Sequence, residues 1–358
     1  MSLSALLDAL RIPIVQAPMV GASDGRLAAA VSRAGGLGTL AAATLAPDEI
    51  GPAVAALRAA AGEAPFAVNL LMAPRATPDA GTVDAALARL RPWYEALGAP
   101  LPEPPDRFAP DFEAQLQALI AAAPPIASFA FDVLSREQVR ALQAAGVRVV
   151  GTAATVAEAH AWAEAGADGV SAQGFEAGGH RGHFLAEVEG SLVGTLALVS
   201  AIRAAVDLPV LAAGGIMDGR GVAAVLALGA AAAQMGTAFL LADEAMTSPA
   251  WRGAVTAAPD DPTRLTRAFT GRWARGIENR FMREMRAVER EVPAYPVQNR
   301  LTQPLRAAAA RAGEAEMISL WAGQGVRLAK PGPAAQLVRG WWAEARKAAG
   351  ALSERTGA

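Results

Sequence analysis

The sequence predicts an α/β fold, a (β/α)₈ TIM barrel that carries a smaller, mainly helical cap. Two patterns support this prediction: short apolar segments alternate with alanine-rich helical stretches, and glycines stand where the helices should end. The eight predicted strands cover residues 12–16, 37–42, 66–71, 126–131, 148–153, 169–173, 209–214 and 232–237. Eight strand–helix units favour a closed barrel over an open sheet.

The predicted helices end at an alanine–glycine or leucine–glycine pair just before the next strand. These pairs are Ala34-Gly35, Ala145-Gly146, Ala165-Gly166 and Leu228-Gly229. Glycine ends helices because it adopts the left-handed conformation at little cost. We therefore expect the chain to return to the sheet directly after each pair.

Two regions depart from this alternation and are expected to pack together as a cap over one end of the barrel. Residues 73–122 are rich in proline and are predicted to be a partly helical insertion. Residues 243–358 are predicted to be mainly helical, with no further strands. The barrel itself then comprises residues 1–72 and 123–242.

Composition restricts the classes of function. Hydrophobic residues make up 53% and charged residues 18%, which provides a large core and argues against disorder. The net charge of −2 gives no reason to expect nucleic acid or an anionic membrane as a partner. The absence of cysteine excludes disulfides and thiolate metal sites and is typical of a cytoplasmic protein. A homodimer is compatible with this composition.

One uncharged stretch, residues 221–242, is long enough to cross a bilayer. Gly229, Gln234 and Gly236 interrupt it, so we predict a buried helix at about 220–229 and a buried strand at 232–237 instead. Strands covered on both faces are expected to be apolar throughout.

In a barrel, chemistry takes place at the carboxyl ends of the strands, and the loop after the sixth strand is the most informative. It holds two of the three histidines, His180 and His183, among five glycines in residues 174–190. Histidine suits proton transfer near neutral pH, and Arg181 is a candidate to face an anion. Two alternatives stay open: a metal site with Glu176 or Glu187, and surface histidines without a role.

Other strand ends indicate a ligand with a phosphate group. The glycine-containing ends of strands seven and eight are where barrels commonly hold phosphate by backbone N–H groups, and one such group suits FMN better than a triphosphate. Alternatively, these glycines only close tight turns. The residues concerned are Gly214 and Gly215 after strand seven, and Gln234, Met235, Gly236 and Thr237 at strand eight.

Three further positions are candidates for the same pocket. The turn Ala17-Pro18-Met19 would let backbone approach a flat ligand, or it is an ordinary tight turn. Asn69 lies in an apolar strand and needs a partner, because an unsatisfied buried amide costs roughly 1–3 kcal/mol. Either a flavin edge or backbone would provide one. Tyr295, between two prolines, either lines the pocket or packs in the core.

Several of these segments resemble the nitronate monooxygenase family, formerly called 2-nitropropane dioxygenase, and its class I members in particular. The resemblance extends from about residue 11 to residue 330. It rests on residues 13–19, Val68-Asn69, residues 172–182, residues 213–216, residues 234–237, Gly271-Arg272, Arg275-Gly276, Tyr295-Pro296 and residues 319–325.

The resemblance implies an enzyme that binds FMN noncovalently and uses O₂ to convert an alkyl nitronate, such as propionate 3-nitronate, into a carbonyl compound and nitrite. His180 would be the catalytic base or would position the nitronate, and Tyr295 would line the substrate pocket; no metal is implied. The residues implied in FMN binding are Ala17, Pro18, Met19, Asn69, Gln173, Gly178, Gly179, Gly214, Gly215, Gln234, Met235, Gly236 and Thr237.

Two other functions remain as alternatives. Related flavin barrels that reduce quinones or enoyl thioesters with NAD(P)H carry a stretch similar to Glu176–His180. A non-catalytic barrel that binds a phosphorylated metabolite is the alternative from another class.

Overall fold

The computed structural model describes residues 2–356 and contains eleven strands and thirteen α-helices in that part of the chain. The strands are β1 Ile14–Gln16, β2 Gly38–Ala41, β3 Phe66–Leu71, β4 Ile126–Ala130, β5 Arg148–Ala153, β6 Gly169–Gln173, β7 Gly179–His180, β8 Val210–Ala213, β9 Ala232–Met235, β10 Thr263–Thr266 and β11 Ala274–Ile277. The helices are α1 Leu3–Asp8, α2 Gly25–Ala34, α3 Pro47–Ala61, α4 Ala80–Ala96, α5 Phe112–Ala122, α6 Arg136–Ala144, α7 Val156–Ala165, α8 Thr195–Ala205, α9 Gly219–Ala227, α10 Pro249–Thr256, α11 Arg280–Met285, α12 Val297–Ala312 and α13 Ala334–Thr356.

Eight parallel strands form the barrel, in the order β1-β9-β8-β6-β5-β4-β3-β2. The first and last strands of this order meet: the backbone N–H of Gln16 donates to the carbonyl oxygen of Leu37 at 2.8 Å, and the N–H of Leu37 donates to that of Ile14 at 2.9 Å. The predicted (β/α)₈ barrel is therefore confirmed.

Each predicted strand of the barrel is present, with ends that differ by at most two residues. The predicted helix stops are also confirmed, because Gly35, Gly146, Gly166 and Gly229 all have positive φ, between 85° and 107°. The uncharged stretch 221–242 contains the end of α9 and all of β9, as predicted. Within residues 2–356, no helix combines the length and apolar character needed to cross a membrane.

The barrel is covered by helices from both halves of the chain. Val338, Trp341 and Ala345 of the last helix, α13, belong to the barrel core, and the Trp341 ring meets that of Phe239 edge-on at 5.0 Å. Helix α13 packs on α9 and α2 and thereby completes the outer ring of helices. At the amino ends of the barrel strands, Leu3 and Leu7 of α1 pack against the barrel.

The cap has its own apolar core, and the insertion contributes one helix to it. Trp93 of α4 packs on Phe281 of α11 with ring centroids 4.8 Å apart. The hydroxyl of Tyr94 donates to the carbonyl oxygen of Leu301 at 2.6 Å, which ties α4 to α12. Helix α5, in contrast, packs on α3 in the barrel wall. The residue limits of barrel and cap stay a prediction.

The prediction that no strands follow residue 242 is wrong. Strands β10 and β11 form an antiparallel sheet with the two-residue strand β7, which carries His180. Both strands are only four residues long, and each includes an arginine. They therefore lack the apolar pattern that identifies a barrel strand, and their pairing with the loop after β6 stabilises them instead.

Gly151 in β5 lies directly against the indole of Trp162, and a Cβ atom at this position would be 1.9 Å from its Cδ2 atom. Trp162 is completely buried, so it cannot move aside freely. We expect Gly151→Ala to lower the free energy of unfolding by about 1–3 kcal/mol, as overpacked cores do. Urea denaturation would measure this loss.

Gly253→Ala is the matched control, because it adds the same methyl group on the exposed side of α10, with no atom within 4 Å. Alanine there should leave stability unchanged or raise it by about 0.5–1 kcal/mol. Equal unfolding midpoints for the two variants would contradict the packing argument.

Candidate active site

A cavity of about 530 Å³ lies at the carboxyl ends of the barrel strands, beneath the cap. Its size is typical of a site for a small ligand or cofactor. The predicted site residues that line it are Ala17, Pro18, Met19, Asn69, Gln173, Gly178, Gly179, His180, Gly214, Gly215, Gln234, Gly236, Thr237 and Tyr295. Met235 does not: its side chain is 1% exposed and belongs to the barrel core, because side chains alternate along a strand.

His180 lines this cavity and has three aromatic rings as neighbours. Its ring centroid lies 5.5 Å from that of Phe131, 5.7 Å from Tyr295 and 5.7 Å from Trp321. Burial, followed by the positive charge of Arg272, lowers the pKa of His180 to about 3. The imidazole is therefore neutral at pH 7.

The loop that carries His180 is held by side chains on both of its flanks. Gln173 donates from Nε2 to the carbonyl oxygen of His180 at 3.0 Å and accepts from the N–H of Gly182 at 2.7 Å. The carboxylate of Glu158 is completely buried and accepts from the N–H groups of Phe184 and Leu185 at 2.6 and 3.1 Å. These bonds fix the imidazole relative to the barrel.

The expectation that Arg181 faces an anion is wrong. Its side chain is completely buried and donates to the carbonyl oxygens of Gly174 and Ser191, each at 2.7 Å, so it stabilises the loop and does not face the cavity.

The other polar side chains of this loop do not form a metal site. His183 lies outside the cavity lining, and burial lowers its pKa to about 4. Glu176 binds Thr195, accepting from its hydroxyl at 2.8 Å. Among residues 2–356, no three histidine, aspartate or glutamate side chains cluster as metal ligands would.

The turn after β8 also lines the cavity and offers backbone N–H groups. Gly214 and Gly215 have φ values of 115° and 71°, which turn the chain sharply at the end of β8. The N–H groups of Gly215, Ile216 and Met217 make no hydrogen bond with other atoms of residues 2–356. Three free donors at one turn, before the start of α9, are the arrangement that binds phosphate.

Two barrel strands also place polar atoms without hydrogen-bond partners at the cavity. The amide nitrogen of Asn69 donates to the carbonyl oxygen and the hydroxyl of Ser128, each at 3.1 Å, as the backbone-bonded alternative predicted. Its side-chain oxygen accepts nothing within the described chain. The buried hydroxyl of Ser171, which also lines the cavity, has no partner there either. Both atoms are free to bind a ligand.

The cap contributes a positive charge that the sequence did not reveal. Arg306 lines the cavity on α12 and forms no ion pair with a carboxylate in residues 2–356. It donates to the side-chain oxygen of Asn299 at 2.8 Å, and its buried Nε atom has no acceptor. Burial lowers its pKa to about 10, so the guanidinium is still charged at pH 7. An enclosed cation without a counter-ion is suited to an anionic ligand.

The position of Arg306 could have been found from helical periodicity. Asn299, Gln303, Arg306 and Ala310 follow one another at intervals of three and four residues, so they share the face of α12 that lines the cavity. Phe131, in contrast, had no sequence signal. It has a φ of 88°, rare for a residue with a side chain, and this strain at the end of β4 brings its ring edge-on to His180.

Comparison with known proteins identifies the family. The family model described as nitronate monooxygenase matches residues 3–343. The chain belongs to the nitronate monooxygenase family. A probable nitronate monooxygenase of Staphylococcus aureus (strain Newman) is 40% identical over 328 residues, which cover 91% of this chain and 92% of the relative. As a member of this family, the chain is a flavin-dependent oxidoreductase, which excludes the non-catalytic barrel.

Solved structures agree with this assignment to the nitronate monooxygenase family. The nitroalkane oxidase from Streptomyces ansochromogenes superimposes with a TM-score of 0.90 at 45% identity, covering 98% of this chain and all of that one. FabK from Thermotoga maritima superimposes with a TM-score of 0.75 at 29% identity, with 98% of each chain covered. The similarity in each case spans the cap as well as the barrel.

Proposed function

We propose that this protein is an FMN-dependent nitronate monooxygenase that uses O₂ to convert alkyl nitronates, such as propionate 3-nitronate, into carbonyl compounds and nitrite. One observation carries the proposal: a neutral histidine and a guanidinium without a counter-ion line the same cavity. A nitronate is an anion formed by loss of a proton, so its chemistry calls for a base and a cation together.

The residues around the cavity fit FMN. The free N–H groups of residues 215–217 would hold its phosphate, and the free oxygens of Asn69 and Ser171 would meet the polar edge of the ring. Gly178 and Gly323, which both line the cavity, pack so closely that a Cβ on Gly178 would be 2.5 Å from the Gly323 nitrogen, so a side chain does not fit at position 178. When bound, FMN would supply the redox chemistry by accepting electrons from the substrate.

The protein side chains would bind the substrate and move its proton. Arg306 would attract the nitronate oxygens, and the rings of Tyr295 and Trp321 beside His180 would close the space around the reacting carbon and exclude water. With a neutral nitroalkane, His180 would remove the α-proton, and the resulting imidazolium would form an ion pair with the nitronate. This ion pair would offset the burial that disfavours a charged His180.

Anaerobic mixing tests the proposal. The purified protein is mixed with propionate 3-nitronate and, separately, with NADH, and flavin absorbance is followed at about 450 nm. We expect the nitronate to change the flavin spectrum and NADH to leave it unchanged. Rapid bleaching by NADH without a response to the nitronate would identify a reductase of quinones or enoyl thioesters instead.

A further inference from the structure

A buried threonine of the cap contacts His180 directly. Thr270, in the turn between β10 and β11, is 1% exposed, and its hydroxyl oxygen lies 2.9 Å from Nε2 of His180. The same oxygen lies 3.0 Å from the carbonyl oxygen of Arg272, in hydrogen-bonding geometry. The hydroxyl oxygen also accepts from the backbone N–H of Arg272 at 3.4 Å. Two groups therefore compete for the hydroxyl proton, His180 Nε2 and the carbonyl of Arg272, of which the carbonyl can only accept.

Counting protons decides the direction of these two bonds. A hydroxyl has one proton to donate, and a carbonyl oxygen has none. If Thr270 donates to Arg272, its oxygen is free to accept from Nε2–H of His180, and both contacts are hydrogen bonds. If it donated to Nε2 instead, the carbonyl of Arg272 would lose this donor. The first arrangement satisfies every group, which buried polar groups require.

We propose that Thr270 is a positioning residue that fixes His180 in the tautomer protonated at Nε2, so that Nδ1 is the base that faces the cavity. Nδ1 makes no hydrogen bond within the described chain. It is not fully buried by other protein atoms either, so it is open to the cavity. The catalytic part of this inference rests on the proposed function; the tautomer does not.

The proton transfer balances with this assignment. The bond between the α-carbon and its hydrogen breaks, the proton moves to Nδ1, and the electron pair stays on the substrate as the nitronate. His180 becomes an imidazolium whose Nε2–H still donates to Thr270. In the other tautomer Nδ1 would already carry a proton and could not accept one.

Three variants separate positioning from packing. Thr270→Val keeps the shape but removes the hydroxyl, and Thr270→Ser restores the hydroxyl. Thr302→Val is the matched control: Thr302 is also completely buried, and its hydroxyl donates to the carbonyl of Phe269, but it does not touch His180 or line the cavity. A purely structural effect should appear equally in both valine variants.

The direct test is ¹⁵N NMR of the histidine rings in the flavin-loaded protein. The sequence has only three histidines, so a spectrum of His180→Asn assigns the signals of His180. We expect a protonated Nε2 and an unprotonated Nδ1 in the wild type, Thr270→Ser and Thr302→Val, and loss of this preference in Thr270→Val. A protonated Nδ1 in the wild type, or an unchanged tautomer in Thr270→Val, would overturn the proposal.

Kinetics provide the second readout. In Thr270→Val, kcat/KM for nitroethane, which must be deprotonated, should fall about 10–100-fold, while that for preformed ethyl nitronate falls less than about threefold. Thr302→Val should change neither value by more than about twofold. Equal losses with both substrates would contradict a role in proton transfer. If the wild type oxidised neither substrate, the proposed function would fail, and the NMR result would still decide the tautomer.

Discussion

His180→Asn will lower kcat/KM for neutral nitroalkanes by about 10²–10⁴-fold while FMN stays bound, because asparagine cannot accept the α-proton. The substitution leaves the glycines and free N–H groups of the turn after β8 untouched. Turnover of nitroethane and of ethyl nitronate, together with the flavin content of the purified variant, would measure the effect. The loss should be much larger for the nitroalkane than for the nitronate.

His183→Asn provides the control for this prediction. His183 is three residues away on the same loop and is also neutral at pH 7, but it does not line the cavity. We expect its replacement to change kcat/KM by no more than about threefold. Unchanged turnover of nitroethane by His180→Asn would refute the assignment of His180 as the base.

Arg306→Met will raise KM for anionic nitronates about 10–100-fold, because a hydrogen bond to a charged group is worth about 1.5–3 kcal/mol. For neutral nitroalkanes the change in KM should stay below about threefold. Arg306→Lys should recover part of the binding through its charge. Steady-state kinetics with both substrates would measure the ratio, and an equal change for the two would contradict a charge-based role.

Arg181→Met is the matched control for Arg306→Met, since both remove an enclosed guanidinium whose pKa burial lowers to about 10. Arg181 donates to backbone carbonyls that would lose their donor, so its replacement should destabilise the protein. Arg306 has no counter-ion, and the oxygens of Asn299 that would lose its hydrogen bonds belong to a residue that lines the cavity, where water can replace the donor. Its replacement should therefore lower thermal stability less than Arg181→Met does. Comparison of the two variants thus distinguishes an arginine that stabilises the loop from an arginine that binds the substrate.

Much of the candidate site was accessible from the sequence because barrel loops meet at one end. Once the strands were assigned, the residues at and near their carboxyl ends included His180, Gly214, Gly215 and Asn69, all of which line the cavity. The side chains that surround His180 were not accessible in this way. Thr270 and Arg306 lie 90 and 126 positions further along the chain, and only the packing of the cap brings them to the histidine.

Local sequence patterns were enough to predict the eight barrel strands, the helix ends at Gly35, Gly146, Gly166 and Gly229, and the end of the barrel that holds the cavity. Those features depend on local apolar periodicity and on the left-handed conformation of glycine, which neighbouring residues decide. The tertiary structure is needed to show that β10 and β11 pair with the loop of His180 and that α13 completes the outer ring of helices. It also shows that Arg181 turns inward, towards the carbonyl oxygens of Gly174 and Ser191. The strand pairing and the packing of α13 depend on residues distant in the chain. The orientation of Arg181 depends on where the folded loop places carbonyl oxygens that need a donor, since buried polar groups require hydrogen-bond partners.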